Sequence, residues 1–365
     1  MVFHLIGIGL ADEEDITLKG LRAVKKCSAV YIEAYTSILA VPRAKLEALF
    51  ERPIEEAPRE LVESGIEPLL ERARSEDIAM LVVGDVYGAT THCDLLARAK
   101  AKGVPTQVVH NASIMTAVGC CGLQLYRYGE AVSVPFFTRD WRPDSFYDKM
   151  RANLANGLHT LVLLDIKVRE PSMASLARGK PTYLPPRFMS IRVAVRQLLE
   201  LEGVRKQGVC PPSTRAVGLA RVGCADQLVV IGTLEELQAV DFGGPLHSMV
   251  VLGQAGHDEE ELLASFCTPA ASAPRLSAAA AKAEDESNAR ADAAHAGETY
   301  APVVDDDDDD EPVNWEGTGS NAVPAVAAAP AADRGRHQMP SSSGVAADGG
   351  DATAEDFLDA FGISD

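Results

Sequence analysis

Four apolar runs in the first 110 residues, Val2–Gly7, Ala29–Ala34, Ile78–Gly84 and Thr106–Val109, limit the fold more than any other feature of the chain. Each is continuous rather than alternating, as strands are when both faces of a parallel sheet are covered. Amphipathic stretches separate the runs. Thr17 before LKGLRAVKKC predicts a helix N-cap, with Leu18, Leu21 and Val24 on one face. The alternation predicts an α/β domain on a parallel sheet.

From about Asn111 a second series begins, with helix-like Ile114–Leu123, the run Thr160–Ile166 and helix-like Ile191–Leu201. Ala216–Val222, Gln227–Gly232 and Ser248–Leu252 follow more closely, and the polar turn Gly223–Asp226 between the first two predicts a hairpin, hence a mixed sheet. Val204–Ser213, with its Lys, Gly and paired prolines, reads as an exposed loop. The expected layout is an N-terminal α/β domain over 1–111, a C-terminal α/β domain over 112–267, and a tail.

After Cys267 the composition turns abruptly to Ala, Pro, Ser, Gly and acid, with six consecutive Asp at 305–310. So little apolar surface cannot offset an ordering cost of roughly 1–2 kcal/mol per residue, which predicts a disordered acidic tail over 268–365. Its last stretch, AEDFLDAFGI, groups Phe357, Leu358, Phe361 and Ile363 closely enough for a short helix over 354–362. Thr268 onward holds five basic and 20 acidic residues, so most of the formal charge of −19 belongs to the tail. A near-neutral body with an anionic tail argues against nucleic acid as a partner, because phosphate binding needs clustered cations.

Seven cysteines without repeating spacing or a CxxC pair read as thiols of a cytoplasmic protein, with neither a disulfide framework nor a metal site. MVFHLIGIGL lacks a basic leader, and no apolar run reaches about 18 residues, so no membrane span is expected.

Four places could carry chemistry. Gly7-Ile8-Gly9-Leu10 ends the first strand, where glycines let backbone approach a ligand, although Asp12 stands where a dinucleotide fingerprint would want glycine. VVGDVYGATTHCD, residues 82–94, follows a strong strand and puts Asp85 and Gly88 in the crevice beyond a strand's carboxyl end. There Asp85 could accept hydrogen bonds from a ligand, or Asp85 or Thr90 could cap the following helix. Ser113 in NASIM could likewise bond a ligand or cap a helix, while Cys120-Cys121 reads as small core filling. The fourth set comprises Leu163–Lys167, Pro185–Met189, Gly218–Gly223 and Gly244–Ser248, each a strand end or turn by itself.

Taken in order, GIGL, GDVYGATTH, NASIMTAVGCCGLQLY, WRPDSFYDKM, HTLVLLDIKV, PPRFMS, GLARVG and PLHS resemble the diphthine synthases across residues 1–267. Two features depart from the family pattern: Val86 stands where proline usually follows the loop aspartate, and the tail is long. The resemblance implies two α/β domains of tetrapyrrole-methylase type, a homodimer, and S-adenosyl-L-methionine in the cleft between the domains. Carried over by motif, the cofactor contacts are Leu10, Asp85, Gly88, Ser113, Ile114, Leu164, Val222 and His247.

The resemblance also implies the substrate, a histidine of translation elongation factor 2 bearing a 3-amino-3-carboxypropyl arm. Its amine would receive three methyl groups and its carboxylate one. Such transfers need alignment more than a dedicated base, so no general base is named and no metal is expected. The stretch Arg139–Arg192, with Arg142, Lys167, Arg169, Lys180 and Arg187, is the most cationic part of the body and the candidate docking face for that factor. Two other readings stay open, a methyltransferase of tetrapyrrole precursors and a non-catalytic binding protein that recruits a translation partner through its tail.

Overall fold

In a computed structural model, residues 1–295 are described apart from 34, 36, 40, 89–91 and 169–183. The N-terminal half forms a five-stranded sheet of β1 (Phe3–Gly7), β2 (Ala29–Glu33), β3 (Glu55–Ala57), β4 (Ile78–Val82) and β5 (Thr106–Val109). Its order is β3-β2-β4-β1-β5 and every pairing is parallel. Packing on both faces explains the apolar runs of β1 and β4, which are buried throughout, whereas β5 lies at the sheet edge with Thr106 and Gln107 exposed, contrary to the expectation for that run. Phe3, Leu5, Ile78 and Met80 enter one core, while Ile6, Ala79 and Leu81 enter another with Val24 of the helix Leu18–Lys26. Thr17 caps that helix through Gly20 N, as its sequence predicts.

The C-terminal half holds a six-stranded mixed sheet of β6 (Val132–Val134), β7 (Thr160–Leu164), β10 (Arg215–Ala220), β11 (Leu228–Thr233), β12 (His247–Val251) and β13 (Thr268–Pro269), in the order β13-β11-β10-β12-β7-β6. Between β7 and β10, the short strands β8 (Ile166–Lys167) and β9 (Arg187–Phe188) pair with each other. The expected hairpin is β10–β11, antiparallel from Arg215↔Thr233 to Ala220↔Leu228. All described residues belong to one compact unit, Met1–Pro302.

Several expectations are corrected. Ile114–Leu123 is not one helix. A turn of α-helix at Ile114–Ala117 gives way to a 3-10 turn at Val118–Cys121, and Gly122 at φ 96° ends it. The later helix runs past Leu201 to Arg205, and within the expected exposed loop Val209 and Cys210 are buried. Disorder does not begin at Thr268. β13 lies parallel along β11, Ala270 and Ala273 are buried, and a helix spans Ala278–His295.

That helix is ordered for two reasons that apolar content does not report. Its alanines favour helix intrinsically. Its acids also meet arginines of the helix Ile191–Arg205 and the segment before it: Glu284 and Asp285 pair with Arg192 at 2.8 and 2.7 Å, Asp292 with Arg187 at 2.8 Å, and Asp285 also with Arg196. The expected terminal helix 354–362 lies outside the described residues.

Candidate active site

Two glycine turns at the carboxyl edge of the first sheet are bonded to each other. Gly84 N donates to Gly9 O at 2.7 Å and Gly9 N to Gly84 O at 3.3 Å. Both take positive φ, 86° and 80°, which glycine adopts without a Cβ penalty. Gly7 has no room for a side chain, since a Cβ would sit 2.6 Å from Gly84 O. The carboxylate of Asp15 then fixes the first turn by accepting from Leu10 N and Ala11 N at 2.9 and 2.7 Å. Asn111, at the end of β5, ties the turn down through Nδ2 to Gly7 O and Asp15 O, both at 3.0 Å.

Asp85 is spent within this edge. Its carboxylate accepts from Tyr87 N (2.9 Å) and Asn111 N (2.8 Å) and faces His110 Nδ1 (3.1 Å). Burial pushes its pKa up, but these hydrogen bonds outweigh burial and hold it below the usual carboxylate range. Asp85 therefore shapes the loop, and its side-chain oxygens are engaged by protein groups. Ser113 caps the turn at Ile114 through Met115 N at 3.0 Å, so the capping reading holds. A Cβ on Gly88 would overlap Ser113 Oγ, so the two loops pack backbone against side chain. Thr90 lies outside the described residues.

The second sheet supplies the opposite wall. Leu164 ends β7, and Asp165 beside it accepts from Phe136 N at 2.9 Å. In the hairpin turn Arg221 and Gly223 take φ of 50° and 93°, and Gly223 lies against Leu10 of the first half. Arg221 fixes this turn with its whole guanidinium, donating to Asp226 Oδ2, Phe242 O, Gly244 O and Asp226 O. His247 stands between Ile191 N, 3.4 Å from Nδ1, and Gly244 O, 3.0 Å from Nε2. Burial pushes its pKa down to about 4, so the imidazole stays neutral, with Nε2 as the donor.

Between the walls lies a cavity of about 370 Å³. Leu10, Gly88, Ser113, Ile114, Leu164, Val222 and His247 all line it, and Asp85 stands just behind Gly88. Sequence reasoning missed Tyr35 and Arg59, which line it from the ends of β2 and β3, while Arg221, within the candidate stretch Gly218–Gly223, lines it too. Only the three-dimensional strand order could have revealed the first two, because nothing local marks EAYTS or APRE as a site.

Other expected features fare differently. Cys120 and Cys121 are held as thiols, with burial pushing the Cys120 pKa up to about 11, and Cys121 belongs to the core. Of the five cations named for the proposed docking face, the three described ones are engaged within the chain. Arg187 and Arg192 are paired with the helix Ala278–His295, and Arg142 with Glu200. Lys167 also has an interaction partner, and Arg169 and Lys180 lie outside the described residues. Among the described residues no group of three His, Cys, Asp or Glu could hold a metal ion. No described helix is long and apolar enough to cross a membrane.

The family model of the Tetrapyrrole (Corrin/Porphyrin) Methylases matches residues 2–238. The chain is 55% identical to the diphthine methyl ester synthase of Emericella nidulans over 260 residues, 71% of this chain and 91% of that one. The chain belongs to the diphthine methyl ester synthases. A bovine diphthine methyl ester synthase is 51% identical over 273 residues, 73% of this chain and 96% of its own. A crystal structure of a diphthine synthase superposes with a TM-score of 0.64 at 35% identity, covering 74% of this chain and 97% of that one. As a member of the tetrapyrrole methylase family, the chain is a methyltransferase of diphthamide biosynthesis.

Proposed function

We propose that the chain transfers methyl groups from S-adenosyl-L-methionine to the 3-amino-3-carboxypropyl arm of a histidine in translation elongation factor 2. Three go to the amine and one to the carboxylate, giving diphthine methyl ester and S-adenosyl-L-homocysteine. The observation that carries this reading is one cavity lined by seven of the eight expected cofactor positions, in a chain so similar to diphthine methyl ester synthases.

The residues present fit an adenosyl sulfonium. Leu10, Ile114, Leu164 and Val222 offer apolar walls to a purine ring. At Gly84 the positive φ of 80°, and not lack of space, calls for glycine, since a Cβ would meet Ala112 O and Ser113 at ordinary contact distances of 3.8–3.9 Å. Neutral His247 adds no positive charge beside a cation. When bound, that donor supplies an electrophilic methyl on a positively charged sulfur.

Each transfer forms a C–N or C–O bond as the methyl–sulfur bond breaks, with the electron pair left on sulfur. An α-amino group has a pKa of roughly 7.7–8.0, so on the order of a tenth is neutral at pH 7, and the carboxylate is ionised. The protein's task is to exclude water and hold the nucleophile in line at about 3–3.5 Å. The bonded glycine turns and the Arg221 clamp serve that task by fixing both walls before any ligand arrives.

The test is mass spectrometry of the acceptor peptide after purified elongation factor 2, carrying the unmethylated arm, is incubated with the chain and the donor. Mass gains of up to four methyl groups on the histidine are expected. An unchanged peptide, with turnover of a porphyrin precursor instead, would overturn the proposal. We further propose that the protein works as a cytoplasmic homodimer without nucleic acid or membrane partners.

A further inference from the structure

Beyond the cofactor positions, the first half also lines the cavity with Tyr35, Ser37, Ile38 and Arg59. Tyr35 follows β2 and Arg59 opens the helix after β3, so both stand on the carboxyl edge that carries the glycine turns. They lie on the far side of β4 from β1. Ligand groups gather along such an edge, and a second reactant beside the first belongs there.

The cavity's polar groups differ in how fully they are committed. Arg221 is saturated by Asp226 and two further carbonyls, both nitrogens of His247 are engaged, and Ser113 caps a helix. Among the described residues, Arg59 is the other guanidinium lining the space. Its contacts are the ring of Tyr35, 5.2 Å away, and half-exposed Glu63 at 3.6 Å. Tyr35 is 5% exposed, and its Oη has no hydrogen-bond partner among the described residues. A buried hydroxyl without a partner is costly, and a bound ligand that accepts its proton would remove the cost. Behind the pair lie buried Glu33, whose Oε2 is 3.4 Å from Tyr35 N, and His92, whose ring is 6.4 Å from that of Tyr35.

We infer that Arg59 and Tyr35 form the acceptor subsite, where the guanidinium and the phenol hydroxyl hold the carboxylate of the incoming arm while its amine is methylated. This rests on the proposed function above and adds an order to it. A carboxylate held by Arg59 cannot also attack the methyl, so the amine is presented first. When the amine has become a quaternary ammonium, no nucleophile remains on nitrogen, and the carboxylate must leave Arg59 to receive the last methyl. Arg59 and Tyr35 act as specificity-determining residues that choose between nitrogen and oxygen.

The experiment compares wild type with Arg59→Gln, Arg59→Lys and Tyr35→Phe, using elongation factor 2 that carries the unmethylated arm. Calorimetry reads affinity for S-adenosyl-L-methionine, and peptide mass spectrometry reads N-methyl against methyl-ester product at low turnover. Arg59→Gln should raise the acceptor KM about tenfold or more. It should also shift early product toward the ester and leave donor affinity within twofold. Arg59→Lys should recover part of the nitrogen preference. Tyr35→Phe should weaken acceptor turnover yet unfold at a higher temperature, because it deletes an unpaired hydroxyl. An unchanged acceptor KM and product ratio in all three variants would overturn the subsite. Donor affinity falling in step with turnover would also overturn it, by assigning Arg59 to the cofactor. A wild-type chain that binds donor but leaves the factor unmethylated would instead overturn the function on which the subsite rests.

Discussion

His92 and His247 are held neutral in the folded protein, each with its pKa pushed down by burial to about 4 from the ordinary 6.5. The unfolded chain therefore binds more protons between those values. Stability should be unaffected by these rings above pH 6.5 and fall as pH drops toward 4, by at most about 1.4 kcal/mol per pH unit for each. His4 and His159, also lowered by burial, act in the same direction. Urea unfolding across pH 4–7 checks this. His247→Asn should flatten the curve, and an identical curve would remove His247 from the account. The cysteines make a second prediction at this scale. Cys93 is exposed, whereas burial raises the pKa of the other six, Cys27, Cys120, Cys121, Cys210, Cys224 and Cys267. One thiol of the folded protein should react rapidly with a colorimetric disulfide reagent, and Cys93→Ser should abolish that phase. The glycines and Ser113 were legible in the sequence because a turn or a cap is specified by neighbours. Tyr35 and Arg59 were not, since their place in the cavity depends on β2 and β3 lying next to β4.

Among elements, β1 and β4 could be read directly, since burial of every residue leaves their sequences almost wholly apolar. β3 could not, because EEA at a sheet edge is mostly charge, and β6 has three residues with exposed Ser133 in the middle. The helix Ala278–His295 escaped for another reason. Its order rests on ion pairs with arginines roughly 90–105 positions earlier in the chain, and sequence composition counts those acids as unpaired. Asp285 receives two nitrogens of Arg192, which is mostly buried, while Asp285 itself is 41% exposed. Allowing for solvent screening, Asp285→Ala should cost about 1 kcal/mol in urea unfolding. The loss should shrink when sodium chloride is raised from 0.05 to about 0.5 M. A loss that ignores salt would mean the helix is held by something other than charge.

On the scale of the whole molecule, both sheets, the cavity and the acidic helix lie within Met1–Pro302. A chain ended at residue 302 should therefore bind donor within twofold of the full chain and methylate the acceptor at a similar rate. A large loss of either would place part of the working site beyond that point. At the end of the body's cationic stretch, which in sequence looks like an open landing area, Arg187 and Arg192 are met in the fold by the chain's own acids. β13 has a further effect through its parallel pairing at Val230↔Thr268 and Ile231↔Pro269. Strands with free amide and carbonyl rows recruit like strands from neighbouring molecules. By laying two residues, one of them a proline, along the midpoint of β11, the protein blunts the outermost long strand of its second sheet against fibre-like stacking in a crowded solution.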